Sequence, residues 1–594
     1  VMKGMMIMNP MPNSGSGWLL SPFLQDVATL DTHLDVFTQQ KVLLTAPAPI
    51  GALLTDKTQR ANEHVPRINP GIEIRSVITD TQGGLWIAAE NSLYYHTQGA
   101  TLEISGKEGL PVRDIRCLAL SAEGALWVGS GRGAARLYQG KWRYYAGRRW
   151  LPDDRVASIT LEANGDAWIA TAQGVSKIAF MPMTFARKAA HYESITASRH
   201  NRDGYVTDCH LERSGDLESF LYEASDNDGL WTALYICSES FRYAVTGDSN
   251  ARELARKSMH ALLDLVRVTG IPGFPARALI RAGERVRQSD PGSNWHPSPT
   301  LPGVLYKDDT SSDEVDGHYL AWYIYSELVA DAQERRMIAD VCRAVTDHIL
   351  QHNYTLVGPT GKPTTWGVWS PERLNADPQW RNERGLNSLE ILSHLRVAMH
   401  LCNEPRHAVA YRSLIEDHGY ALNAVRQKVV PPEGENNHSD DELAACAYYP
   451  LLQLETEPHL RALYLWSLER TQAVLRPEGS PFHNVIYGAC TGNPSDVERA
   501  VQWLQDAPWD LRAWTMTNSH RSDITFEERP GRFGERQSTH PLPPNERRVA
   551  KWNHNPYNPD GGSDGHSEED GTFWLLPYWM GRYHAIFRED PEAM

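Results

Sequence analysis

The sequence predicts a multidomain chain in which an incomplete β-propeller is followed by a mainly α, (α/α) toroid-like barrel. Three tryptophans, Trp86, Trp127 and Trp168, stand 41 residues apart, each in a phrase of short apolar strands with a glycine before the tryptophan. A fixed period of about 40 residues with this content is typical of propeller blades. After Met181 the repeat stops, and downstream the apolar period changes from about two to about 3.6, which predicts helices.

These changes of period set the predicted boundaries. We expect an N-terminal extension or atypical blade over residues 1–70, propeller-type repeats over 71–182 and the toroid-like helical domain over 183–594. Three blades do not close a propeller ring, which typically takes about four to eight. The repeats are therefore predicted to form an open fragment that leans on the helical domain.

Nine stretches read as helices, and segments rich in Gly, Pro and Asn separate them. Their lengths and alternating connections favour antiparallel helical hairpins. The predicted helices are Leu217–Val245, Arg252–Val268, Tyr319–Ala332, Arg336–Gln351, Leu386–Leu401, Arg406–Val425, Leu443–Leu454, Glu457–Leu475 and Asp496–Leu504.

Composition excludes several classes of function. The net charge of −16 over 594 residues argues against nucleic acid or an anionic membrane as partner. No apolar run is long enough to span a membrane, and Val1–Gly17 lacks the basic region and cleavage site of a signal peptide. The seven cysteines are scattered without a CxxC pair, so neither a disulfide framework nor a zinc site is expected. The 19 Trp and 24 Tyr residues suit either core packing or the faces of sugar rings.

The first polar cluster between predicted elements is the segment 225–231, which runs into an apolar helix. Asn227 and Asp228 could cap that helix and complement its dipole. Alternatively, they reach a sugar hydroxyl beside Trp231. We predict all three as substrate-binding residues.

The second cluster, residues 308–319, holds five acids within nine positions. Helix capping accounts for one or two of them, so Asp313 and Asp316 are predicted to bind substrate. His318 and Tyr319 are candidates for acid–base work, although neighbours on a helix can share a site only at its mouth. The acids lack the spacing of a known calcium loop, so no cofactor or metal is expected, and a structural Ca²⁺ has no support from spacing.

The third cluster contains two tryptophans three residues apart, Trp366 and Trp369. A flat strand would send them to opposite faces, whereas a helical or polyproline turn would bring both rings to one side as a platform for sugar. Arg384 offers a planar fork for a carboxylate, with Asn387 beside it, and the alternative for Arg384 is an ordinary ion pair.

The remaining candidates lie near 438 and 483. His438 is predicted as a base or a carboxylate partner, because no second His follows at the spacing of a zinc site. Asp441 and His483 are predicted to bind substrate, and Tyr487 to act in acid–base catalysis.

Two chemistries fit these residue types. One is β-elimination at C5 of a uronic acid, in which Arg384, Asn387 or a protonated His neutralises the sugar carboxylate while a Tyr or His moves protons. The other is inverting hydrolysis by two carboxyl groups about 6.5–9.5 Å apart, with acids such as Asp228 and Glu442 as candidates. A non-catalytic glycan-binding or sensor protein is the third possibility.

The phrases Ser311–Tyr319, Trp366–Glu372, Glu383–Glu390 and Asn437–Leu443 resemble bacterial carbohydrate-active proteins that join regulator-type propeller repeats to a helical toroid. The chain resembles polysaccharide lyase family 27 over about residues 70–580. The resemblance implies an L-rhamnose-α-1,4-D-glucuronate lyase whose substrate is an oligo- or polysaccharide, and hence a periplasmic or secreted protein. The residue roles above come from chemistry, and the oligomeric state stays open.

Overall fold

The computed structural model describes residues 2–8, 72–289, 294–427 and 437–589. β-Sheets come first and helices second, so the predicted order of the two regions is confirmed. The prediction for residues 1–70 lies outside the described residues, apart from strand β1. No helix in the described ranges is long and apolar enough to cross a membrane.

The first region, the β module, consists of three four-stranded antiparallel sheets. Two sheets follow sequence order, β2–β5 and β6–β9, and the third has the order β1-β12-β11-β10. Each periodic tryptophan lies on the second strand of its repeat, and a propeller remains a prediction. The strands are β1 Met2–Met8, β2 Ser76–Thr79, β3 Leu85–Ala88, β4 Leu93–Thr97, β5 Ala100–Ile104, β6 Ile115–Leu120, β7 Leu126–Ser130, β8 Gly133–Tyr138, β9 Lys141–Tyr145, β10 Val156–Leu161, β11 Ala167–Thr171 and β12 Gly174–Met183.

Apolar side chains fill the spaces between these sheets. Leu93 and Val128 belong to a cluster shared by the first and second sheets. Trp127 belongs to a cluster shared by the second and third sheets, is fully buried, and stacks on Tyr145 with ring centroids 5.1 Å apart. The alternation of apolar residues along each strand thus buries one sheet against the next.

The second region, the helical module, follows β12. Its helices are α1 Phe185–Ile195, α2 Asp228–Thr246, α3 Ser249–Arg267, α4 Ser312–Leu328, α5 Ala332–Gln351, α6 Arg384–Cys402, α7 Pro405–Glu416, α8 Tyr420–Ala424, α9 His438–Leu454, α10 Pro458–Leu475, α11 Pro481–Thr491, α12 Val497–Asp506 and α13 Thr572–Tyr583. Short strands in its connections are β13 Asn201–Arg202, β14 Tyr205–Val206, β15 Asp208–Leu211, β16 Phe220–Ala224, β17 Ala278–Arg281, β18 Val286–Gln288, β19 Trp295–Pro297, β20 Val304–Lys307, β21 Thr355–Val357, β22 Pro363–Val368, β23 Met516–Thr517, β24 Asp560–Gly561 and β25 Ser567–Glu568.

Six of the described helices contact one another in a ring: α2, α4, α6, α9, α11 and α13, with α13 contacting α2 again. Five of these helices are followed, after a connection of a few residues, by an outer helix that packs against them, and α1 packs against α13. Each outer helix returns the chain to the end of the ring at which the preceding ring helix began. All six ring helices therefore begin at the same end, which we call the mouth. The connections that enter the ring helices at the mouth are mostly long, such as residues 268–311 and 507–571.

Several predicted helix boundaries were wrong. The helix predicted from Leu217 begins only at Asp228, because Phe220–Ala224 pairs as a strand with β15. The helix predicted over Arg406–Val425 is interrupted at Gly419, whose φ of 70° lies in the left-handed region. Helices α1, α11 and α13 were missed.

A buried arginine joins the two modules. Arg149 of the β module is 1% exposed and donates to the carbonyl oxygens of Arg547 at 2.6 Å and Arg548 at 2.9 Å. It also donates to the carbonyls of Arg512 and Asn545. These acceptors belong to the long connection between α12 and α13, so the β module holds a segment that ends at the mouth.

Candidate active site

Lys551 marks the centre of the candidate site at the mouth. Its side chain is buried, and its Nζ atom lies 3.2 Å from the ring centroid of Trp231 on α2. Burial alone would lower the pKa of Lys551, but the neighbouring acids, above all Asp570 and Glu569, raise it. The lysine is therefore a buried cation that acids surround, and Asp570 is 3.9 Å away.

Glu569 and Asp208 flank this lysine. Glu569 is half-buried, and desolvation raises its pKa to about 7 although Lys551 opposes the shift. Asp208 on β15 is exposed to solvent, yet the surrounding protein desolvates its carboxyl group and raises its pKa. Both acids thus combine contact with solvent and desolvation by the surrounding protein. We call the region defined by Asp208, Lys551 and Glu569 the recess.

Asp226 lies beside the recess, immediately before α2. Its neighbour Ser225 hydrogen-bonds with Asp208, and its own side chain is 44% exposed and forms an ion pair with the buried Lys307. Arg277 donates to the backbone oxygen of Asp226 at 2.7 Å. A fixed, charged and accessible carboxylate thus stands next to the recess.

A buried carboxyl group of α9, Glu442, also interacts with Lys551. Glu442 is 1% exposed and accepts a hydrogen bond from the Trp552 indole at 2.5 Å. Burial raises the pKa of Glu442 to about 7, and Lys551 acts in the opposite direction. The Trp552 ring stacks on Phe482 of α11 at 4.2 Å, which fixes this segment to the ring of helices.

The residues of the first predicted cluster lie at the mouth, where two of them have hydrogen-bond partners within the protein, and their substrate-binding role stays a prediction. Asp228 is fully buried and accepts from the Ser225 backbone and hydroxyl at 2.9 and 2.8 Å. Asn227, with its amide nitrogen facing acceptors, donates to Glu314 at 3.0 Å. Trp231 lies beneath Lys551, at the recess itself.

In the second predicted cluster, Asp313 keeps partial exposure at the start of α4 and accepts from the Ser311 hydroxyl. The other three predicted site residues of this cluster are buried. Asp316 bonds His394 at 2.5 Å, and Tyr319 bonds the Thr346 hydroxyl at 2.7 Å. His318 contacts the carbonyl oxygen of Glu314 at 2.5 Å, and burial lowers the pKa of His318 to about 4. These three residues therefore lie below the mouth, within the packed ring.

The third predicted cluster divides between surface and core. Trp366 is 52% exposed on β22, whereas Trp369 just after the strand is fully buried and donates to Glu390 at 2.8 Å. The two rings do not form one platform. Arg384 donates through Nε to the carbonyl of Leu374 at 2.5 Å, and Asn387 donates to the carbonyl of Val368 at 2.9 Å.

The fourth group lies around α9 and α11. His438 is buried and pairs with Glu478 at 3.0 Å. Asp441 and His483 line a small internal cavity between α9, α10 and α11. Tyr487 packs against the core further along α11. Their assignment as site residues stays a prediction.

Sequence reasoning missed Asp208, Asp226, Lys551 and Glu569. Asp226 belongs to the segment already singled out, and Glu569 stands just before the aromatic run of α13, so each had a local signal: an acid at the entry to an apolar helix. Asp208 and Lys551 had none, because a strand and a long connection bring them together over more than three hundred residues of sequence.

One described group has the composition of a metal site. Ligand atoms of His200, Cys209 and Glu568 lie within 4.8 Å of one another, all buried. Arg199 donates to both oxygens of Glu568, at 2.5 and 2.9 Å. The carboxylate is therefore already neutralised by a cation, and the group does not fit a metal ion well.

Comparison with known proteins gives distant similarity only. No family model and no curated protein matches the chain. A thermostable endoglucanase from Alicyclobacillus acidocaldarius is 12% identical, over 79% of this chain and 98% of its own, with a TM-score of 0.36. The extracellular domain of a putative hybrid two-component system from B. thetaiotaomicron is 22% identical over 18% of this chain and 15% of its own, with a TM-score of 0.16. A streptogramin B lyase is 21% identical over 18% of this chain and 41% of its own, with a TM-score of 0.15. This chain thus spans less than half the length of the last two proteins.

Proposed function

We propose that the chain is a carbohydrate-active enzyme, a glycoside hydrolase whose ring of helices is an (α/α) toroid with the active site in the recess. Its substrate is an oligo- or polysaccharide, and its place of action is the periplasm or the exterior. The proposal is supported mainly by one observation: Glu569 is a partly exposed residue whose pKa burial raises to about 7, and it interacts with the buried Lys551, which lies over the Trp231 ring.

Glu569 is the proposed general acid. A general acid must hold a proton near neutral pH and still be reachable by the glycosidic oxygen. Desolvation, which raises the pKa of Glu569, provides the first property, and the partial exposure of the residue provides the second.

Asp226 is the proposed general base. An inverting hydrolase needs an ionised carboxylate that activates a water on the opposite side of the sugar from the acid. The ion pair with Lys307 holds the Asp226 side chain in place, and 44% exposure leaves the carboxylate open to water. We propose inversion, which requires about 6.5–9.5 Å between the two carboxyl groups. The configuration of the released sugar tests it directly.

Uronate elimination, which the family resemblance implied, has less support. That chemistry needs a cation free to neutralise the sugar carboxylate. The Arg384 guanidinium already donates to backbone carbonyls, Lys307 pairs with Asp226, and Lys551 is surrounded by acids. Around the recess the acids therefore outnumber the available cations, which favours hydrolysis.

The test compares Glu569→Gln with Asp564→Asn, an exposed acid on the same connection, after a screen of neutral and acidic glycans. We expect Glu569→Gln to lower kcat by about 10²–10⁴-fold on natural glycans and much less on aryl glycosides with good leaving groups, which need no proton. Asp564→Asn should retain wild-type turnover. In the wild type, kcat should fall as pH rises through about 7, because Glu569 then loses its proton.

Two outcomes would reject the proposal. One is an increase in ultraviolet absorbance from an unsaturated uronate product, which would restore the lyase. The other is equal loss on natural and activated substrates in Glu569→Gln, which would remove Glu569 from the role of acid.

A further inference from the structure

A pair of aromatic rings at the mouth takes no part in the proposed hydrolysis. Trp366 on β22 is 52% exposed, and Trp380 packs against it edge to face with ring centroids 6.2 Å apart. We call Trp366 and Trp380 the rim platform. A large exposed ring braced by a second ring is unusual on a surface, because burying it would be favourable by the hydrophobic effect.

The fold holds this platform at the mouth. Asp309, just before α4, accepts from the backbone and hydroxyl of Thr365 at 2.8 and 3.0 Å. Trp380 stands four residues before Arg384, the first residue of α6. The platform therefore lies between the entries of two neighbouring ring helices, on the same end as the recess.

The charges next to the platform argue against an anionic ligand. Burial raises the pKa of Glu383, with Arg532 acting in the opposite direction. Burial raises the pKa of Asp440 to about 7, and Glu383 adds to that shift. A carboxylate ligand would bring a further negative charge to these two interacting carboxyl groups, and like charges close together are unfavourable.

We propose that the rim platform binds an uncharged pyranose ring of a neutral oligosaccharide, at the same end of the ring of helices as the bond that is cleaved. The proposal rests on the proposed function for the position of the cleaved bond, but binding at the platform needs no turnover. Stacking of one ring should contribute about a tenfold change in affinity. The enzyme should therefore prefer chains to single glycosides.

The test uses Trp366→Ala and Trp380→Ala with a matched control, Trp466→Ala. Trp466 is also 52% exposed, but it lies on the outer helix α10. In kinetics on neutral oligosaccharides of increasing length, the KM of Trp366→Ala relative to wild type should rise toward about tenfold as the chain lengthens, with little change in kcat. Trp466→Ala should match wild type at every length.

A second measurement separates this proposal from the proposed function. Affinity electrophoresis in gels that contain mixed-linkage β-glucan, galactomannan or polygalacturonate reports binding without catalysis. We expect a neutral polymer to retard the wild type and Trp466→Ala but not Trp366→Ala. Equal retardation of all three proteins, or retardation by polygalacturonate alone, would overturn the platform. Retardation without hydrolysis of any glycan would instead contradict only the hydrolase.

Discussion

The β module and the helical module bury different kinds of side chain. Between the sheets the clusters are apolar, with Trp127 and Ile169 at one interface and Leu93 and Val128 at the other. At the mouth of the helical ring the buried groups are ionisable. The repeated sequence motif thus supplies the apolar core of the β module, whereas the long and irregular connections supply the ionisable groups of the candidate site.

The largest effect should come from the middle of the sheet stack. Trp127→Ala should lower the free energy of unfolding by about 3–5 kcal/mol, because it leaves a cavity between two sheets. The partly buried Trp168, whose indole bonds Glu162 at 2.6 Å, is the matched control and should cost clearly less when replaced by Ala. Chemical denaturation measures both. Equal losses would show that the three repeats are energetically equivalent.

The second-largest loss of stability should come from the contact between the modules. Arg149→Met should destabilise the protein by about 3 kcal/mol, because buried carbonyl oxygens lose their donor. Its neighbour Arg148, which is half-exposed and bonds Ser214 at 3.0 Å, is the control, and Arg148→Ala should change stability by about 0.5 kcal/mol or less. If Arg149→Met also abolishes turnover while the protein stays folded, the β module positions the recess as well as packing against it.

A smaller effect should distinguish the interior of the helical module from that of the β module, because only the former is expected to make stability depend on pH through a buried carboxyl group. Burial raises the pKa of Glu390, whose ordinary value is 4.5, so the folded state favours the protonated form. Stability from this group is therefore present at low pH and is lost as pH rises above about 4.5 toward the raised value. We expect Glu390→Gln to raise the free energy of unfolding at pH 8 by about 1–2 kcal/mol, and to raise the Tm with it. Near pH 4 the substitution should leave the Tm unchanged.

The control for that experiment is Glu327→Gln, since Glu327 is exposed and pairs with His400 at 2.9 Å. It should keep the pH dependence of the wild type. If the Tm of Glu390→Gln falls with rising pH as steeply as the Tm of the wild type, Glu390 is not a protonated carboxyl group in the folded state.

The smallest effect concerns Tyr319. Because its hydroxyl is buried against Thr346, Tyr319→Phe should cost about 1 kcal/mol of stability and change turnover by about twofold or less. Steady-state kinetics with the natural glycan measures this. A loss of turnover like that of Glu569→Gln would place Tyr319 in the site and would remove the distinction between mouth and packed ring.

The sequence predicted the order of the modules and most of the helices, because period and turn residues are local signals. It failed at Phe220–Ala224, where pairing with β15 overrides a helical apolar pattern. For the candidate site it found the segment around Asn227 and Trp231. It could not tell Trp366 from Trp369, because one residue beyond the end of a strand decides which ring is exposed.

By itself the sequence determined the repeat of the β module, the change to helices and the polar segments that enter them. Only the tertiary structure decided which acids meet. Asp208 and Glu569 act on one lysine because β15 pairs with β25, which sets Cys209 opposite Glu568 and so brings the two acids together. The pKa values of these groups depend on such neighbours rather than on sequence spacing.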